Sequence, residues 1–357
     1  MNITELNVNQ AVELLKLLIS TPSFSREEGD AADRLQYFIE RGAPVRCDVH
    51  RHLNNIWCVA PGYDASRPTL LLDAHIDTVK HAGKWTKHPF TPIVEGDVIY
   101  GLGSNDDGAS LVAMLQVFYQ ICRTPQEYNT IFLASAEEEV SGKNGIEAVM
   151  PLLPPVSCAI IGEPTGMQPA VAEKGLMVLD CVAEGIAGHA ARNEGVNAIY
   201  KATDDINWFR NYKFPHSSSL LGDVKMTVTQ VNAGTQHNVV PSNCNFVVDI
   251  RSNECYSNKE LLDIISKSVG CKVSARSTRL NSSSIALSHP LVERAAELGL
   301  KPFGSPTLSN QALLDIPTLK MGPGDSSRSH TANEYIRVSE IREGMQLFAR
   351  MLHGLRL

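Results

Sequence analysis

The apolar positions of this chain follow a helical spacing in some stretches and run together in others. From Asn9 to Ile19, Val12, Leu15 and Ile19 recur on one helical face, and from Arg26 to Glu40 the inward positions are Ala32, Leu35 and Phe38. Both stretches predict amphipathic helices. Asn55 to Ala60 and Thr69 to Ala74 are short apolar runs that predict strands. The uninterrupted Leu70-Leu71-Leu72 after Pro68 is the pattern of a strand covered on both faces. Ala109 to Cys122 is apolar nearly all round, which predicts a buried helix. Thr130 to Ala134 and Cys158 to Ile161 predict two further strands. Strands alternating with helices imply a largely parallel sheet with helices on both faces. Between the strand at Thr69 and the next elements, His81 to Pro92 reads as a long loop and a candidate pocket wall.

The texture changes near Met167. Strand-like Gly175 to Glu184, helical Val196 to Tyr212, strands at Val224 to Val231 and Asn245 to Arg251, a helix at Asn258 to Lys267 and a strand at Cys271 to Arg276 follow in turn. That β-α-β-β-α-β order is the pattern of a ferredoxin-like unit. After about Ser282 the first texture returns, with a helix at Leu291 to Leu298, a strand at Pro317 to Met321 and a helix at Val338 to His353. The expected organisation is one α/β domain made of residues 1–167 and 281–357, interrupted by an inserted domain at residues 168–280.

Composition narrows the class. A chain of 357 residues allows two domains, and its 43% hydrophobic and 20% charged content is ordinary for a soluble protein. The net charge of −7, with no basic stripe, excludes a nucleic-acid surface as the expected partner. No apolar run approaches the roughly 18 residues of a membrane span, and the polar N-terminus lacks a signal-peptide pattern. Eight scattered cysteines without a C-x-x-C predict reduced thiols in a cytoplasmic protein.

The chemistry begins at His75 and Asp77, at the carboxyl end of the Thr69 strand, where open α/β sheets place their ligand sites. Alone, the pair equally fits a structural hydrogen bond. Other strand ends also carry acids: Asp106-Asp107 after a Gly-rich turn, Glu137-Glu138-Glu139 after the Thr130 strand, and Glu163 after the Cys158 strand. Asp106 could cap the helix that follows. Three adjacent glutamates repel one another unless protons or cations neutralise them. His330 lies in a polar loop, away from any expected core. Imidazoles with oxygen donors and no thiolate suit zinc, with cobalt or manganese as alternatives. The number of carboxylates favours two ions about 3.5–4 Å apart, bridged by a shared aspartate.

The ordered motifs His75-Ile-Asp77, Gly101-Leu-Gly-Ser-Asn-Asp106, Glu138-Glu139, Gly162-Glu-Pro-Thr165 and Ser329-His-Thr-Ala-Asn-Glu334 resemble those of the co-catalytic zinc peptidase and deacylase family. The resemblance covers nearly the whole chain and looks most like the acetylornithine deacetylase branch. It implies a zinc-peptidase-like domain with an inserted lid that also dimerises. One zinc would take His75, Asp106 and Glu163, and the other Asp106, Glu139 and His330. Asp77 would orient His75, and Glu138 would be the general base. His189 in Gly188-His-Ala190 resembles the family's lid histidine, Arg251 its carboxylate-binding arginine, and Asn238 a lid asparagine near substrate. The backbone at Gly324 is a further candidate for binding a substrate carboxylate.

The chain departs from the family pattern at Leu102, at Asp107-Gly108-Ala109 and at Glu137. The implied reaction is a dizinc-dependent removal of the acyl group from an N-acyl amino acid. N-acetylornithine or N-succinylornithine, in arginine biosynthesis, is the expected substrate. A di- or tripeptidase, or a desuccinylase, on the same scaffold is the alternative. A non-catalytic binding protein would require one of these ligands or the base to be missing.

Overall fold

The computed structural model describes residues 6–43, 47–124, 126–192 and 194–357. The chain divides into two compact units. The first holds the chain up to Val171 together with Ser284–Phe303 and Ser309–Leu357; the second holds Ala172–Ser283 and Gly304–Leu308.

The first unit is built on a mixed sheet whose centre is parallel. Strand Thr69–His75 lies between Asn129–Ser135 and Cys158–Ile161, and Thr318–Lys320 pairs beyond the latter, all four in the same direction. Antiparallel partners extend the edges, with Asn55–Val59 beside Asn129–Ser135 and Asp48–His52 outermost. Every residue of Thr69–His75 is buried, as its unbroken apolar run predicts. Alternate side chains serve opposite faces. Leu71, Ile131, Leu133, Ala159 and Ile161 pack with Ile146, Val149 and Trp57. Phe132 meets Phe118 of the helix Gly108–Arg123, their ring centroids 6.0 Å apart. That helix is buried along almost its whole length, between the sheet and the helices Val8–Ile19 and Val338–Leu352. The chain passes from Asn129–Ser135 on one side of Thr69–His75 to Cys158–Ile161 on the other. Thr69–His75 therefore marks the topological switch point, where a crevice opens beyond the carboxyl ends of the strands.

Two helices differ from the sequence expectation. Val8–Ile19 buries Ala11, Leu14, Leu15 and Ile19, whereas Val12 is only half-buried. The second helix begins at Gly29 instead of Arg26, and its core face is Ala31, Ala32, Leu35 and Ile39, with Phe38 half-buried. Arg26 has a φ of 76°, outside helical geometry. The cause is Glu28, whose carboxylate accepts the N–H groups of Arg26 and Glu137 and the side-chain amide of Asn54. Those bonds fold residues 24–28 into a turn.

The second unit is a four-stranded antiparallel sheet in the order Lys225–Ala233, Asn243–Ser252, Gly175–Glu184, Lys272–Ala275. Helices Ala198–Asn211 and Asn258–Ser268 complete the ferredoxin-like pattern. Gly175–Glu184 alternates buried and half-buried residues, and Met177, Leu179, Cys181 and Ala183 share a core with Phe209, Phe246, Leu261 and Ile265. Ser257 and Glu260 form a reciprocal capping box at the start of the second helix.

Candidate metal centre

The four central strands end on one side of the sheet, and each delivers a polar side chain there. His75 is the last residue of Thr69–His75. Glu138 and Glu139 begin a short 3₁₀ turn after Asn129–Ser135, Glu163 follows Cys158–Ile161, and His330 lies in the loop after Thr318–Lys320.

Asp77 ties two of these ends together. Its Oδ1 accepts the N–H of Glu138 at 2.9 Å, and its Oδ2 accepts the N–H of Glu139 at 3.1 Å and the Ser25 hydroxyl at 2.7 Å. Glu137, with a φ of 55°, turns the chain so that both N–H groups face Asp77.

His75 is buried, with Nδ1 2.9 Å from the backbone carbonyl of Asp77 and 3.5 Å from its Oδ1. A carbonyl only accepts, so Nδ1 carries the proton and Nε2 presents a lone pair. That lone pair faces Asp106 Oδ1 at 3.2 Å and Glu138 Oε2 at 4.0 Å.

Asp106 does not cap the helix behind it; Asp107 holds that position, without a side-chain capping bond. The Asp106 carboxylate instead faces two imidazoles, Oδ1 towards His75 and Oδ2 towards His330 Nε2 at 3.6 Å. His330 Nε2 also lies 3.0 Å from Glu139 Oε1. Donor atoms of His75, Asp106 and Glu163 lie within 4.8 Å of one another, as do those of Asp106, Glu139 and His330. The structure thus assembles all five residues, in two sets that share Asp106.

The turn holding Asp106 depends on Gly103 and Glu334. Gly103 has a φ of 74°, and a Cβ there would come 2.7 Å from Thr78 Cγ2, so a larger residue is excluded. Glu334 accepts the N–H groups of Asn105 at 2.8 Å, Asp106 at 3.0 Å and Gly103 at 3.0 Å. Burial, reinforced by Asp106, pushes the Glu334 carboxyl up to about 8.

The electrostatics call for positive charge. Burial pushes Glu138 well above the carboxylate range; Glu139, Asp77 and Asp106 add to this, against the pull of His75. Glu163 is pushed up by burial, then by Asp106 and Glu138. Burial also raises Glu139, against its bond to His330. His75 moves the other way: burial opposes its charging, but Asp106 and Asp77 outweigh burial and hold it well above the usual imidazole range. The Nε2 lone pair of His75 and Asp106 Oδ1 meet across 3.2 Å, an arrangement that needs a proton or a cation between them. Hard oxygen donors with two imidazoles and no thiolate fit a divalent ion of the zinc, cobalt and manganese group.

The remaining expected residues have separate settings. His189, Asn238 and Arg251 belong to the second unit. His189 Nδ1 accepts the N–H of Ala191 at 3.1 Å, which leaves the proton of the neutral ring on Nε2. Asn238 contributes its backbone carbonyl to Ala190 N–H. Arg251 donates twice to Asp249, at 2.8 and 3.1 Å. Gly324, in the first unit, has a φ of 94° and packs against Asn105, and its carbonyl accepts Gly166 N–H.

Sequence reasoning gave no role to Glu334, Ser25, Asn333 or Arg328. Asn333 Oδ1 accepts the N–H groups of Thr86 and Lys87 at 3.0 and 3.1 Å, fixing the His81–Pro92 loop against the His330 segment. Arg328 forks onto Glu340 at 2.7 and 2.9 Å and lies 4.5 Å from the centre of the Tyr335 ring. Glu334 and Asn333 stand inside a motif singled out around His330, but nothing in their spacing reveals what they hold.

The family model of Peptidase family M20/M25/M40 matches residues 71–354. The chain belongs to this family. As an M20 member it is a metal-binding hydrolase that acts on amide bonds. It is 26% identical to an acetylornithine deacetylase of Klebsiella pneumoniae (strain 342), over 97% of this chain and 98% of that protein. An acetylornithine deacetylase of Shigella sonnei (strain Ss046) is likewise 26% identical, over 96% and 97%. Among solved structures, a tripeptidase from Staphylococcus aureus shares the fold with a TM-score of 0.75, 21% identity and 98% of each chain covered. A dinuclear metal-binding M20 peptidase from Bacillus subtilis has a TM-score of 0.72 at 16% identity, covering 96% of this chain and 97% of its own.

Proposed function

We propose that this M20 hydrolase is a two-metal N-acyl-amino-acid deacylase with N-acetylornithine or N-succinylornithine as substrate. The observation that carries the reading is the single Asp106 carboxylate facing one imidazole with each oxygen, while each set has its own further acid, Glu163 or Glu139. His75, Asp106 and Glu163 would hold one ion, and Asp106, Glu139 and His330 the other. Bound zinc would act as a Lewis acid and bring the pKa of water towards about 7.

The chain's own groups do the rest. Asp77 keeps the His75 ring oriented and its Nε2 available. Glu138, buried and 4.0 Å from His75 Nε2, takes a proton from the attacking water and returns it to the leaving nitrogen. His189 keeps the Nε2–H that an oxyanion donor needs. Arg251, with N–H groups beyond those given to Asp249, and Asn238 are the proposed contacts to substrate, with the Gly324 backbone as a third.

The full-length likeness to acetylornithine deacetylases supports the ornithine substrate. That substrate would place the enzyme in arginine biosynthesis in the cytoplasm, and the ferredoxin-like unit's edge strands suit a homodimer. Lys80 and Lys84, exposed on the loop that leaves Asp77, are the cations a succinyl carboxylate would seek.

The test is a hydrolysis panel on zinc- or cobalt-loaded protein, with N-acetyl- and N-succinylornithine against free-amine di- and tripeptides. Turnover of an acyl-ornithine at least about tenfold above any peptide supports the reading. Preference for the peptides overturns it.

A further inference from the structure

The hydrolase chemistry leaves the cysteines unused, and two of them are placed for chemistry of their own. Cys47 immediately precedes the outermost strand Asp48–His52, and Cys122 lies in the last turn of the buried helix Gly108–Arg123. The fold brings them together from 75 positions apart, and their thiols are hydrogen-bonded to each other. Both are half-buried, unlike Cys58, Cys158, Cys181, Cys244 and Cys271, which are buried.

The pair is also polarised. The Cys122 hydrogen bond lowers the Cys47 thiol, against burial, while Cys122 itself is raised by that bond and by burial. One sulfur is thus biased towards thiolate, the nucleophilic form, and its neighbour stays protonated and ready to resolve. Accessibility, thiolate character and an adjacent second cysteine are the three features of a redox-active thiol.

We propose that Cys47 and Cys122 form a second reactive site, one that takes a hydroperoxide. The Cys47 thiolate attacks the terminal peroxide oxygen, the O–O bond breaks, and the leaving alkoxide or hydroxide takes up a proton as alcohol or water. Cys47 is then a sulfenic acid. Cys122 Sγ attacks that sulfur, the S–O bond breaks, and water leaves as the disulfide forms. The peroxide is reduced by two electrons and the two thiols are oxidised by two. A thiol reductant reverses the change by exchange.

Two other arrangements in the chain serve as internal controls. Cys255 is exposed, so oxidation governed by exposure alone would reach it first. Cys181 and Cys271 are also hydrogen-bonded to each other but are buried within the core of the second unit. A pairing effect without access would oxidise them equally.

The test is peroxide treatment of the reduced, full-length native protein, followed by thiol titration in denaturant and peptide mapping. The expected result is a fall from eight thiols to six, a linked Cys47–Cys122 peptide, and recovery of eight on adding dithiothreitol. Cys47→Ser should keep Cys122 as a thiol, and Cys122→Ser should let Cys47 proceed to sulfinic acid. Oxidation of Cys255 or of Cys181–Cys271 ahead of the Cys47–Cys122 pair would overturn the proposal, as would an unchanged count of eight. Mapping of the unaltered protein decides the matter even if a serine variant folds poorly.

Discussion

Asp77 accepts the backbone N–H of Glu138 at 2.9 Å, so the residue that orients His75 also fixes where the next strand delivers its two glutamates. Asp77→Ala removes the acceptor of three donors at once, Glu138 N–H, Glu139 N–H and the Ser25 hydroxyl. Leaving buried donors unpaired costs about 1–3 kcal/mol each. Metal affinity should fall about 10–100-fold, as for other partners of ligating histidines. Metal titration by calorimetry checks this; unchanged affinity would show that the ligands hold their places without Asp77.

Glu138→Gln keeps the shape of the side chain and removes its basicity. The variant should bind two metals per chain as before yet lose at least about 10²–10⁴ in kcat. Elemental analysis and steady-state rates on one preparation separate the two effects. Near-normal turnover would remove Glu138 from the role of base.

Stripping the metals should unsettle the first unit, because Glu138 and Glu163 are already pushed up by burial and by neighbouring carboxylates. With free metal at about 1,000 times its dissociation constant, binding adds about 4 kcal/mol to stability. A chelated sample should therefore melt several degrees lower, and zinc should restore it. An identical Tm with and without chelator would mean that the cluster is stable without cations.

Glu334→Gln replaces one accepting oxygen by an amide that only donates. At least one of the N–H groups of Gly103, Asn105 and Asp106 then loses its partner, at about 1–3 kcal/mol. Because that turn carries the shared aspartate, both metals should weaken together. Loss of a single metal would show that Glu334 does not act through Asp106.

Arg328→Ala should show the opposite asymmetry. Its fork onto Glu340 and its place over the Tyr335 ring brace the segment leading to His330 and touch nothing near His75. Hydrogen bonds to charged groups contribute about 1.5–3 kcal/mol. One metal per chain should weaken while the other stays, read by competitive chelation. Equal loss of both would count against the separate bracing of His330.

The strands were legible because burial writes itself into local sequence. Leu70-Leu71-Leu72 reads as covered on both faces, and the structure buries the whole strand. The start of the second helix was not legible. Arg26 is turned out of it by Glu28, whose partner Glu137 lies 109 residues away. The ligand residues could be named from motifs, but their anchors could not. Glu334 is one acid among many until the fold sets three N–H groups against it.

The sequence by itself determined which residues could serve as donors and that they stand at strand ends, since side-chain chemistry and hydrophobic period are local properties. Only the tertiary structure decided that one aspartate faces two histidines, that Nδ1 of His75 is committed to a carbonyl, and that Cys47 meets Cys122. Each of these depends on distances between segments remote in the chain, and such distances are set by how the sheet orders its strands and by what packs against it.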